Sequence, residues 1–216
     1  MTYKAYYNNS VQNESIKDTV KAGILGLGML AGSANANANA AQAPFKYNSA
    51  AEVSNVSSNV SVDPIVLRKQ IINHEGYERK IYVVNKVPHI GIGFNLHDSN
   101  NQKLLLKYNI TKEDLNKGLT DKQILQLYNE NVKLATDIAM KFAPNFNTLP
   151  VNVKMALIDI AFNLGAPRLN KFVDLKASIA KKDFSAAAAA LKDSLWYTQV
   201  GKRGRFLYNQ VIKSAP

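Results

Sequence analysis

The pattern of apolar and polar positions predicts that a folded domain begins at residue 63 with a helix. Asp63 is a good helix N-cap, and Pro64 suits the first helical position. Apolar residues then recur at helical spacing at Leu67, Ile71 and Ile72. Gly76 can adopt the left-handed conformation that ends a helix. This pattern therefore places Glu75 in the last turn of the first helix.

Two short runs rich in β-branched residues follow this helix directly. The first covers residues 81–84 and the second covers residues 87–94, where Pro88 marks a sheet edge or a strand start. Asn85 and Lys86 lie between the two runs and are predicted to form a turn. The sequence thus predicts a small β-hairpin beside the end of the first helix.

The remainder of the chain has helical periodicity. Thr111 and Thr120 each begin a capping signature, and a long helix with one apolar stripe then extends to Phe142. Residues 155–165 are apolar on nearly every side, which predicts a buried central helix that stops at Gly165.

Two further helices are expected, one from an Asp183 or Ser185 cap to residue 195 and one over residues 204–213. These elements predict an α+β, mostly helical fold. A small β-hairpin lobe and a helical lobe would be joined by the long helix, with a cleft between them.

The first 62 residues lack the pattern of a folded domain. Residues 1–43 combine a polar lead, a short weakly apolar run and a small-residue tail, which is the layout of an export signal. The alternative is a frayed amphipathic helix with an Ala/Asn linker. Residues 44–62 are rich in Ser, Asn and Val and are expected to be a flexible linker. Residues 63–216 would then form the domain, and transient membrane contact is expected only of the leader.

Composition narrows the classes of partner and site. The chain has 216 residues and no Cys, which excludes disulfides, thiolate metal sites and Cys nucleophiles. Its formal net charge is +11, and residues 61–216 carry 23 basic and 13 acidic residues. A basic fold favours an anionic partner such as nucleic acid, acidic lipid or an acidic cell-wall polymer. The net charge is the one feature that supports a nucleic-acid partner. No recognised nucleic-acid-binding motif is present, so no nucleic-acid partner is expected.

Glu75 is the first candidate for chemistry. A carboxylate in the last turn of a helix faces the negative end of the helix dipole, which favours the protonated form that a general acid needs. The alternative is an ordinary exposed Glu before a capping Gly. No metal site is expected, because the His residues lack metal-ligand spacing; they are His74, His89 and His97. Gly91 and Gly93 lie inside a strand-like run with no Lys or helix cap after it, so no nucleotide cofactor is expected either.

Three blocks in order match a known family. They are HEGYERKIY…HIGIGFNL, MALIDIAFNLG at residues 155–165 and SLWYTQVGKRG at residues 194–204. With these blocks the chain resembles the phage-type, T4-lysozyme-like glycoside hydrolases over about residues 64–215. The resemblance implies a lysozyme-like fold without a cofactor. It also implies cleavage of the β-1,4 bond between N-acetylmuramic acid and N-acetylglucosamine in peptidoglycan.

The resemblance assigns roles to several residues. It places the catalytic acid at Glu75, in agreement with the position of that residue at a helix end. It also places Arg203 beside Glu75, where its charge would favour the ionised carboxylate and oppose the effect of the helix dipole; the sequence leaves open which effect dominates. Asn163 corresponds to an amide that lines the cleft, and the resemblance assigns supporting roles to Tyr82 and Asn95.

The hairpin departs from the family pattern. The family has an Asp and a Thr that together place the attacking water, and these positions read Val84 and His89 here. The hairpin is one residue shorter, so Asn85 is an alternative occupant of the Asp place. A neutral His89 could deprotonate a water and invert the anomeric carbon, or attack the sugar itself and retain it. The alternative is a chain that keeps the fold but has lost turnover.

The basic charge and the leader fit this family resemblance. Peptidoglycan and its attached polymers are anionic, so a positively charged enzyme is drawn to the cell-wall surface. The leader implies export to the periplasm or exterior of a bacterial host. Phage lysis by a monomeric protein is the expected setting, and a virion-associated enzyme is the alternative.

Overall fold

A computed structural model describes residues 62–216 of the chain. These residues form helices and one small antiparallel sheet, so the prediction of a mostly helical α+β fold is confirmed. The predicted leader and the linker up to residue 61 lie outside the described residues.

Helix α1, Pro64–Glu75, begins and ends where the sequence predicts. Oδ1 of Asp63 accepts hydrogen bonds from the backbone N–H groups of Ile65 and Val66, at 2.8 and 3.3 Å. Gly76 follows the helix with φ of 82°, a conformation that favours glycine. The cap and the glycine together fix the position of Glu75 as the last helical residue.

The predicted hairpin consists of β1, Glu78–Val84, and β2, Val87–Gly91. Its turn residues Asn85 and Lys86 have φ of 50° and 66°, as a two-residue turn between twisted antiparallel strands requires.

A third strand, β3 at Phe94–Asn95, pairs with β2 and was not predicted. The expected single run over residues 87–94 is broken because Gly91 and Gly93 both have positive φ, of 65° and 64°, and turn the chain back on itself. The sheet order is β1-β2-β3.

Three helices lead from the sheet to the helical lobe: α2 at Ser99–Lys107, α3 at Lys112–Lys117 and α4 at Asp121–Phe142. Both predicted capping boxes are present, at Thr111 before α3 and at Thr120 before α4. The long predicted helix is therefore α4, which packs along the central helix α5.

Helix α5, Val151–Leu169, is buried along most of its length, as predicted. It does not stop at Gly165. That residue has φ of 66° and ψ of 170° and breaks the helical path, after which one more turn containing Pro167 reaches Leu169. Fully buried side chains of α1, the sheet, α4 and α5 share one core, among them Ile71, Ile90, Leu127 and Leu157.

The last four helices are α6 at Val173–Ala180, α7 at Phe184–Lys192, α8 at Leu195–Val200 and α9 at Lys202–Ile212. Asp183 caps α7, but this helix ends at Lys192 rather than at residue 195. The side chain of Ser194 caps a new short helix there by accepting the N–H of Tyr197. Helix α9 begins slightly earlier than predicted and packs against α7 and α5.

None of the helices in residues 62–216 combines the length and the apolar character needed to cross a membrane.

Candidate active site

A cleft of about 690 Å³ lies between the sheet, α2, α4 and α5. Four of the seven predicted site residues line it: Glu75, His89, Asn95 and Asn163. They come from α1, β2, β3 and α5, so the fold brings together residues that are up to 88 positions apart in the sequence.

Glu75 presents its two carboxylate oxygens to different surroundings. Oε1 accepts a hydrogen bond from Nη1 of Arg203 at 2.5 Å. Oε2 lies against the backbone of Gly93 and has no hydrogen-bond partner among the described residues. The side chain is 18% exposed. Oε2 is thus the oxygen free to hold a proton.

Tyr82, His89 and Asn95 form one row across the sheet, because Tyr82 pairs with His89 and His89 pairs with Asn95. Residues directly opposite each other in neighbouring strands have their side chains on the same face. The row therefore presents three predicted site residues on one face of the sheet.

The ring of His89 has one nitrogen engaged and one available. Nδ1 lies 2.9 Å from the carbonyl oxygen of Val87, and because a carbonyl can only accept, Nδ1 carries the hydrogen. In the neutral ring the lone pair is then on Nε2. His89 can therefore act as a base or a nucleophile through Nε2.

Tyr82 supports the row without lining the cleft. Its ring centroid lies 5.7 Å from that of His89, at an interplanar angle of 30°. Burial and the nearby Glu75 carboxylate raise the pKa of Tyr82 to about 12, against the opposing effect of a backbone hydrogen bond from Gly93. Tyr82 therefore stays neutral near pH 7, and its ring packs beside that of His89.

Hydrogen bonds hold the two predicted cleft amides in place. Oδ1 of Asn95 accepts the backbone N–H of His97 at 2.7 Å. Oδ1 of Asn163 accepts from Nε1 of Trp196 at 2.9 Å, and the Trp196 ring is in turn packed edge-on against Phe172. With its oxygen engaged, Asn163 has its amide N–H groups left for a ligand in the cleft.

Arg203 is buried behind Glu75 rather than in the wall of the cleft. It also donates to Asp159, from Nε to Oδ1 at 2.8 Å and from Nη2 to the backbone oxygen at 3.1 Å. Sequence reasoning placed Arg203 beside Glu75 but missed Asp159. The available signal was that Asp159 is the one acid in the apolar stretch 155–165.

The structure does not bring Asn85 into the cleft. Asn85 is exposed in the hairpin turn and is not among the residues that line the cleft. Val84, at the place of the family's Asp, is 47% exposed. The tight turn, with φ positive at both residues, closes the hairpin before it can direct a polar group toward Glu75.

Other polar cleft residues were also missed, because no local motif marks them. They are Asp98, Asn100, Asn101, Glu130, Asn131 and Arg168. Within residues 62–216, no group of three or more His, Asp or Glu side chains is arranged to hold a metal ion.

Comparison with known proteins shows what the chain is similar to. No protein-family model matches it. It is 41% identical over 67 residues to probable T4-type lysozyme 2 of Dictyostelium discoideum. The chain resembles the T4-type lysozymes. The aligned region covers 31% of this chain and 37% of the relative, so the chain spans well under half of that relative's length. The family resemblance drawn from the three sequence blocks is confirmed.

Proposed function

We propose that this chain is a peptidoglycan-degrading muramidase that hydrolyses the β-1,4 bond between N-acetylmuramic acid and N-acetylglucosamine. One observation carries the proposal: Glu75, with Oε2 free, and His89, with Nε2 free, line the same cleft. An acid and a base or nucleophile at one groove are the two groups that glycoside hydrolysis requires. The similarity to a T4-type lysozyme supports the choice of substrate.

Glu75 is the proton donor in this proposal. Its Oε2 gives a proton to the glycosidic oxygen as the bond to the anomeric carbon breaks. The carboxylate that results is stabilised by the hydrogen bond from Arg203 to Oε1. Arg203 thus stabilises the charge that develops on the acid without itself lining the cleft.

His89 supplies the second group, by one of two routes. As a base, Nε2 removes a proton from a water that attacks the anomeric carbon, which inverts its configuration. As a nucleophile, Nε2 forms a covalent bond to the anomeric carbon, and a water activated by the Glu75 carboxylate then displaces it, which retains the configuration. The hydrogen bond from Nδ1 to Val87 orients the ring for either route.

The proposed setting is the cell wall of a bacterial host, reached by export to the periplasm or exterior, during phage-mediated lysis. A virion-associated enzyme is the alternative setting. The excess of basic residues in positions 61–216 supports attraction to the anionic wall surface. The protein would act as a monomer, without nucleic acid as a partner, and membrane contact would be limited to a transient role of the leader.

A second candidate function is a lysozyme-fold protein that binds the wall, or serves in a virion, without turnover. The observation that favours it is the hairpin, in which residues 79–97 contain no carboxylate and Val84 points to solvent with 47% exposure. This candidate needs the same cleft but no role for Nε2 of His89.

Digestion of purified peptidoglycan with the full chain separates these functions. We expect new reducing ends at N-acetylmuramic acid, identified by mass spectrometry of the released fragments, and none with Glu75→Gln. NMR of the first product shows whether the anomer is inverted or retained, and hence which route His89 takes. Binding to the wall without reducing ends would establish the second candidate instead.

A further inference from the structure

The Arg203 guanidinium is shared between two carboxylates. Nη1 donates to Oε1 of Glu75 at 2.5 Å, and Nη2 lies 2.6 Å from Oδ1 of Asp159. Nε also donates to Oδ1 of Asp159, at 2.8 Å. Because a guanidinium is a planar fork, its orientation is set by the carboxylate that engages two of its nitrogens. That carboxylate is Asp159, which leaves Nη1 aimed at Glu75.

Asp159 is itself held firmly. Its side chain is fully buried on α5, and its second oxygen, Oδ2, accepts from Nε2 of Gln70 at 2.7 Å and from Nδ1 of His74 at 2.8 Å. Gln70 is fixed in turn, since its oxygen accepts from Nε2 of Gln210 at 2.7 Å. Oδ2 of Asp159 is thus held by two residues of α1, one of them backed by Gln210 of α9, while Oδ1 is held by Arg203 of α9.

Burial opposes ionisation of Asp159, but the hydrogen bond from His74 and the charge of Arg203 outweigh it and hold the pKa of Asp159 below its usual value. The site therefore contains one buried cation between two acids. The negative charge of Asp159 partly neutralises the positive charge of Arg203, and so weakens the attraction between Arg203 and the Glu75 carboxylate.

We propose that Asp159 is a positioning residue that orients Arg203 toward Oε1 of Glu75 and, by sharing its charge, keeps Glu75 able to hold a proton. The inference rests on the proposed function of Glu75 as the acid. Without the Asp159 charge, Arg203 would stabilise the Glu75 carboxylate alone and draw its protonation to lower pH.

Other titratable groups also surround Glu75, and the test has to account for them. They are Tyr82 on β1, His89 on β2 and His74 at the preceding position. Substitution at Asp159 touches neither Tyr82 nor His89. It does remove the carboxylate that accepts from Nδ1 of His74, so the His74 ring signals are followed in the same titration.

The test is an NMR titration of the full chain labelled with ¹³C at the glutamate carboxyl groups, in which the signal lost in Glu75→Gln identifies Glu75. We expect Asp159→Asn to lower the titration midpoint of Glu75 by about one pH unit. The alkaline limb of the pH–activity profile should move by the same amount. The matched control is Asp137→Asn, an exposed Asp on α4, which should move neither. A midpoint that is unchanged or raised in Asp159→Asn would overturn the inference.

Arg203→Lys provides a second test if Asp159→Asn does not fold. A lysine ammonium cannot bridge both carboxylates as the planar fork does. It should follow the fully buried Asp159, so the Glu75 midpoint should rise, and a midpoint equal to that of the wild type would contradict charge sharing. Because NMR needs no turnover, a chain that digests no peptidoglycan but shows these shifts would disprove the proposed function and leave the positioning role standing.

Discussion

A Cβ atom on Gly93 would lie 2.7 Å from Oε2 of Glu75. Real Cβ atoms do not approach an oxygen so closely, so the carboxylate occupies space that only a glycine leaves open. Gly93 also has φ of 64°, which L side chains rarely adopt. The backbone turn after β2 and the placement of the proposed proton donor therefore depend on the same residue.

Gly93→Ala should displace Glu75 and reduce activity on peptidoglycan on the order of 100-fold, because small errors in the position of a catalytic group are costly. The measurement is the initial rate of release of reducing ends. Gly201→Ala is the matched control, since Gly201 also has positive φ, of 55°, but nothing within 4 Å of its added Cβ. Equal losses of rate in the two variants would show that backbone strain, rather than displacement of Glu75, is responsible.

Glu75→Gln should reduce the rate about 1,000-fold, because an amide cannot donate the proton that Oε2 provides. The amide oxygen can still accept from Arg203, so the fold and binding to peptidoglycan should survive. Lysis of wall fragments and co-sedimentation with them measure the two properties separately. Glu78→Gln, at an exposed position three residues further along, is the control and should retain the wild-type rate.

His89→Ala should also abolish digestion, since it removes the Nε2 lone pair on which both routes depend. The control is His97→Ala, at an exposed position two residues after β3, which should remain active. Retained activity in His89→Ala would mean that water is positioned by another group. If His89 is the nucleophile, mass spectrometry of a quenched reaction should show a glycosyl adduct on the wild-type protein.

Salt should weaken attachment to the wall. The chain carries a formal net charge of +11, and attraction between separated charges is screened beyond about 10 Å at 0.1 M salt. Co-sedimentation of the Glu75→Gln protein with intact walls, at rising salt, measures binding without digestion of the substrate. We expect the bound fraction to fall steadily, and to fall less with walls stripped of their anionic polymers. A bound fraction that is independent of salt would exclude the electrostatic contribution.

Local signals account for the parts of the fold that were predicted. A cap and a turn act over a few residues, so Asp63 and Gly76 fix α1, and Thr120 fixes the start of α4, without reference to the rest of the chain. The third strand was missed because its cause is a pair of glycines within an apolar run. In that run the apolar residues are separated only by Gly91 and Gly93, so the pattern of apolar and polar positions does not distinguish a turn from an extended strand.

The predicted part of the site depended on the family resemblance more than on spacing. It placed Arg203 next to Glu75, a contact between residues 128 positions apart that no local pattern reveals. Asp159 was missed because its partners lie on α1 and α9, and only packing brings these helices together. Asn85 was a candidate for the place of the family's Asp because the hairpin is one residue shorter in this sequence. In the structure, the strand pairing and the tight turn place Asn85 at the exposed tip of the hairpin.

Acid should unfold the protein partly through Asp159. Because the pKa of Asp159 is lower in the folded chain than the value of about 3.9 in the unfolded chain, the folded state binds fewer protons and stability rises with pH in this range. The contribution is complete at pH values above the unfolded pKa and is lost as the pH falls through the folded pKa.

Asp159→Asn should lower the free energy of unfolding by about 3 kcal/mol at pH 7. Denaturant titrations between pH 7 and pH 3 should show a smaller loss of stability on acidification in this variant than in wild type, whereas Asp137→Asn should follow the wild-type curve. Parallel curves for Asp159→Asn and wild type would show that the pKa of Asp159 is the same in the folded and the unfolded chain, and would contradict its stabilisation by Arg203 and His74.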